Sequence, residues 1–117
     1  VNPRAAMAAF AEPIRSAMAP FHDGQPTARD VANLRTAIAS VEATRVQFER
    51  DASAALSRSD ALQAGLSENP LPATVEMVAT HREYVQDLAR MAVELLGLED
   101  ALRTIAQQHE RGQGGIR

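Results

Sequence analysis

The sequence predicts an all-α protein: a long antiparallel helical hairpin plus a shorter, proline-kinked N-terminal helix, packed as a three- or four-helix bundle. Three observations carry this. Alanine fills 23 of 117 positions while only four residues are aromatic, which suits helices packed closely through small side chains. Apolar residues recur at steps of three and four along two long stretches. Between those stretches stands one short breaker, LSENPLP at 66–72, with two prolines. The pattern gives one domain over residues 1–111 and a flexible glycine-bearing tail over 112–117.

Helix A starts at Asn2-Pro3, an N-cap side chain followed by proline at the first helical position. Met7, Phe10, Ile14, Met18 and Phe21 then share one face. Pro13 removes a backbone donor inside this helix, so a kink or break is expected near residues 9–13. HDGQP at 22–26 is a polar turn, and Thr27 with Asp30 forms a capping box that uses Asp in place of Glu. Helix B follows, with a seam at Val31, Leu34, Ile38, Val41, Arg45, Phe48, Ala52, Ala55, Ser59, Leu62 and Leu66. Gly65 is expected to stop it as a C′ residue, and Asn69-Pro70 to cap and restart the chain. Helix C carries Met77, Val78, His81, Tyr84, Val85, Leu88, Met91, Ala92, Leu95, Leu98, Leu102, Ile105 and Ala106. That face is broader than a two-stranded seam, so helix C touches more than one neighbour.

Helices B and C should each run roughly 50 to 60 Å. A short connection makes them antiparallel, so residues equidistant from about position 69 face one another. This register sets Tyr84 opposite Ala52 and Ala55, Phe48 near Met91, Val41 near Leu98 and Leu34 near Ile105. Helix A, half as long, should cover the open end, around residues 28–45 and 95–109. The other half then keeps an apolar face, Leu56, Leu62, Leu66, Met77, Val78 and Val85, with Leu96 at its margin, unless helix A splits at Pro13, folds over the middle and covers enough by itself. These six are the expected partner-binding residues, the cover being a partner helix or a second copy. Arg45 and Glu99 interrupt the seam with charge: either they pair across it, which would fix register, or Arg45 meets Glu42 or Glu49 on its own helix.

Composition excludes several classes. Lysine is absent and all 12 basic residues are arginine, which fits a GC-rich bacterial genome or a protein exported into another cell. The arginines alternate with 15 carboxylates for a net charge of −3, so no nucleic-acid footprint forms. No stretch approaches the ~20 apolar residues of a membrane span, and Pro13 and Arg15 interrupt the apolar run that a signal peptide needs. The chain therefore reads as soluble. Beginning at Val1, it fits a rare start codon, a trimmed product or a processed one. With no cysteine, thiolate metal sites and cysteine nucleophiles are out.

The remaining chemistry is tested on spacing. Ala19, Val78 and Ala106 stand three residues before His22, His81 and His109, so the Glu-x-x-His of a di-metal bundle is missing. No HExxH, GxSxG or phosphate loop occurs, and no catalytic, cofactor or metal residues are assigned. His81 invites a phosphotransfer reading, but its seam position fits a partly buried histidine bonded near Arg58 or Ser59. His109 suits the negative end of helix C and could meet Asp30. In shape the hairpin is similar to small secreted hairpin proteins with a Trp-x-Gly turn and to rod and needle subunits of secretion systems. The first group's turn is replaced by NPLP, and the chain has no tryptophan.

Two function classes follow. One is a non-enzymatic interaction or assembly module, such as an adaptor, chaperone or targeting domain, with a helical protein partner or self-association and no small-molecule substrate. The other is a lipid-surface binder acting through the tip around Arg58, Leu62, Leu66 and Leu71; Asp60 and Glu68 there oppose attraction to anionic lipid.

Overall fold

The computed structural model describes residues 3–68 and 71–115. The protein is all-α, with α1 at Pro3–Ala8, α2 at Ala11–Asp23, α3 at Ala28–Glu68 and α4 at Pro72–Gly115. The two long helices, α3 and α4, pack along each other. The short, bent N-terminal pair lies against them, α1 on α4 and α2 on α3, in a body of 70 × 23 × 15 Å.

Local chemistry sets most of the boundaries. Pro13 has no N–H for the carbonyl of Ala9, and the helix breaks there: Phe10 N–H turns back to Met7 O at 3.1 Å, and Ile14 N–H reopens the ladder on Phe10 O at 3.0 Å. Pro20 stands inside the final turn of α2. The Asp variant of the capping box forms in both directions. Thr27 N–H donates to Asp30 Oδ2 at 2.7 Å, and Asp30 N–H donates to Thr27 Oγ1 at 3.2 Å.

Three boundary expectations are corrected. Gly65 does not end α3, which continues to Glu68; its φ is not positive, so it is an ordinary helical residue. Helix α4 begins at Pro72 rather than Pro70, and Val75 N–H on Leu71 O at 3.0 Å marks Leu71 as the residue before the first turn. Asn69 and Pro70 lie outside the described residues. At the far end α4 runs on to Gly115, past the expected boundary at Arg111.

One apolar cluster unites the elements: Leu34, Ile38, Val41, Phe48 and Ala55 of α3, Leu88, Met91, Ala92, Leu95 and Leu102 of α4, and Ile14 of α2. Leu34, Leu88, Leu95, Leu102 and Val41 are essentially sealed from water. Each such side chain favours folding by about 1.5–3 kcal/mol relative to an exposed one. All eleven expected seam positions of α3 are buried or half-buried. On α4 the exceptions are Met77 and Tyr84, both exposed.

Candidate helix-docking groove at the hairpin tip

A ladder of polar contacts ties α3 to α4 and fixes their register. From tip to open end it runs Gln63–Arg82 at 2.7 Å, Ala55–His81 at 2.8 Å, Arg45–Glu99 at 2.7 Å, Glu42–Arg103 at 3.0 Å and Arg35–Glu110 at 2.6 Å. At its centre Glu99 is only 4% exposed. Arg45 Nε donates to Glu99 Oε2, Arg103 donates to Oε1 at 2.9 Å, and the same arginines reach Glu49 and Glu42. Burial alone would push the Glu99 carboxyl up, but the hydrogen bonds and charges of Arg45 and Arg103 outweigh it and hold the group below the ordinary carboxylate range. The Arg45 guanidinium is raised in turn by its bonds to Glu99 and Glu49.

The N-terminal segment covers one face of this hairpin from the open end to its middle. Phe21 packs edge-on against the His109 ring, centroids 5.5 Å apart, and Arg4 of α1 reaches Asp87 at 3.4 Å. The flank of α3 beneath it is Ala37, Ser40 and Thr44. His109 does not meet Asp30, whose carboxylate is engaged in the capping box; its Nε2 is buried without a hydrogen-bond partner.

Toward the tip from Asp87, the apolar file on α4 grows more exposed. Met91, Tyr84 and Met77 stand one heptad apart on α4, so they form one file along the helix. Their exposure climbs along it: 9% at Met91, 36% at Tyr84 and 56% at Met77. Ala73, Glu76, Met77, Thr80, His81 and Tyr84 line an open groove of about 610 Å³ there. His81 anchors its inner wall. Its Nε2 faces the carbonyl of Ala55 at 2.8 Å, an acceptor only, so this nitrogen carries the proton and donates. The bond occupies the nitrogen and ties the ring to α3, with Tyr84 tilted beside it at 6.2 Å.

The six residues expected to bind a partner are not brought together. Val78 is buried in the seam and Val85 is half-buried against the core, so neither is available as surface. Leu62 and Leu66 are half-buried at the seam's edge. Met77 is in the groove. Leu56 is exposed on the opposite flank: it lies a heptad before Gln63, which bonds Arg82, itself a heptad after exposed Val75. Leu96 is also exposed. Tyr84, expected against Ala52 and Ala55, instead forms the groove, because His81 takes the place opposite Ala55. A signal existed for this. Val78, His81, Val85 and Leu88 already make one complete file, which leaves Met77, Tyr84 and Met91 as a second.

Among the described residues no three metal-ligating side chains converge, and no helix is long and apolar enough to cross a membrane. Fold and groove together define an all-α helical hairpin whose one face is half covered by its own N-terminal segment. Compared with family models, curated proteins and solved structures, the chain finds no match in any of the three.

Proposed function

We propose that the protein is a non-enzymatic interaction or assembly module, an adaptor, chaperone or targeting domain, that receives a helix of another polypeptide or of a second copy in the tip groove. One observation carries the reading: the file Met91, Tyr84, Met77 is buried at Met91, near the level of Asp87 that Arg4 of α1 reaches, and turns to surface toward the tip. A helix laid along this file would bury Tyr84 and Met77. Burial of those two side chains is worth about 1.5–3 kcal/mol each before the cost of association.

The test compares the parent with a Met77→Glu, Tyr84→Glu variant. The parent should bind an apolar-surface dye or show a concentration-dependent mass by light scattering. The variant should lose that behaviour and keep its helix content. A parent that stays at one chain's mass up to high concentration, with no dye bound, overturns the reading.

A second reading, docking of the tip on a lipid surface, draws on Leu71 and Val75, exposed at 53% and 49% near the tip. Asp60, Glu68 and Glu76 beside Arg58 make it the weaker one on anionic lipid. Vesicle flotation at low salt separates the two.

A further inference from the structure

We infer that the helix accepted by the tip groove is amphipathic and basic along the edge that lies on α4. The inference rests on the interaction-module reading above and adds the chemistry of the partner. Its basis is the edge of the groove. Glu76, Thr80, Glu83 and Asp87 succeed one another at steps of four, three and four, so they form one stripe along α4 beside the Met77–Tyr84–Met91 file. Asp87 is the member of the stripe that α1 reaches: its Oδ1 takes Arg90 of its own helix at 2.7 Å and Arg4 of α1 at 3.4 Å. Glu83 and Glu76, about one and three turns toward the tip, make no ion pair or hydrogen bond among the described residues.

The docked segment thus displays the rule that its continuation would follow. Arg4 takes the acidic stripe while Met7, three residues on, packs against the core. A second helix in line with α1 meets the same two rails, an apolar file and an acidic edge, now with both carboxylates of the edge unpaired. Arg90, one heptad after Glu83, is taken up by Asp87, and Arg58 lies on the α3 side, a heptad after Asp51 and two after Thr44; with Glu76 and Glu83 the edge toward the tip stays acidic in balance. A cationic edge is favoured there and an anionic one is opposed.

Two synthetic peptides of about 18 residues, roughly 27 Å of helix, share one Leu/Ala stripe; lysine flanks it in the first and glutamate in the second. Titrated into the full chain at low salt, the lysine peptide should bind about tenfold more tightly, the preference shrinking at high salt. The Glu76→Gln, Glu83→Gln variant, changed only at exposed positions, should keep its helix content and lose most of that preference. Equal binding of the two peptides, tighter binding of the glutamate peptide, or an unchanged preference in the variant overturns the basic edge and leaves the interaction module standing. A parent that light scattering shows as two chains, returned to one by Tyr84→Glu, makes a second copy the occupant and overturns the inference alone. Binding of neither peptide by a chain that stays at one copy's mass overturns both.

Discussion

Glu99 is an acid in the seam of a hairpin, and its surroundings decide what it contributes. Two arginines from opposite helices hold it, so it joins α3 to α4 at a level where apolar packing could slip by a heptad. Because its folded pKa lies below the unfolded value of about 4.3, its stabilisation is complete above that value and is lost as pH falls through the lower folded value. Glu99→Gln should therefore cost about 1–3 kcal/mol near neutrality, with the gap to the parent closing below about pH 4. Urea midpoints measured across the acid range check this; a gap independent of pH would mean that the carboxylate is not what matters. Ala55 makes the complementary case for small size. It is 4% exposed, and its carbonyl receives His81. Ala55→Leu should overpack this level and cost about 1–3 kcal/mol in a thermal melt.

At the scale of the element, α3 starts where side-chain chemistry says it should and runs past the glycine expected to stop it. Thr27 and Asp30 cap α3 through two bonds that both arise within four residues, so the motif is readable from local sequence. Gly65 shows the opposite. Its composition suggests a stop, yet the helix passes through it with ordinary backbone angles, and a methyl group added there would meet no atom within 4 Å. Gly65→Ala should consequently stabilise the protein by about 0.5–1 kcal/mol, seen as a higher denaturant midpoint. If Gly65 closed the helix in a left-handed conformation, the same change would destabilise instead.

For the whole molecule the decisive fact is a mismatch of lengths. Helices α3 and α4 have 41 and 44 residues, while α1 and α2 have 6 and 13, so these two short helices cover one face only in part. The short connection keeps this arrangement in a single chain. Pro72 opens α4 at a position where a missing N–H costs nothing, and with Pro70 it obstructs a continuous helix. The Pro70→Ala, Pro72→Ala variant should admit a rod in which α3 and α4 run on and pair with a second molecule by exchange. Its expected signature is a gain of dimer or larger species in size-exclusion chromatography with helix content unchanged by circular dichroism. Identical behaviour of variant and parent would place the hold on the turn in the packing around Leu66 and Leu71.

The helical class, the hairpin, the break at Pro13 and the α3 seam were legible in the sequence, because each follows from local chemistry or from a periodicity that one helix carries alone. The candidate groove was legible only in part. Which part of the hairpin the N-terminal segment lies on is decided by Arg4 on Asp87 and by Phe21 on His109, contacts between residues far apart in the chain. Register decided the rest. His81 rather than Tyr84 sits opposite Ala55, and residues three apart on a helix differ by about 60° around its axis, enough to move Tyr84 from the middle of the seam to its exposed margin.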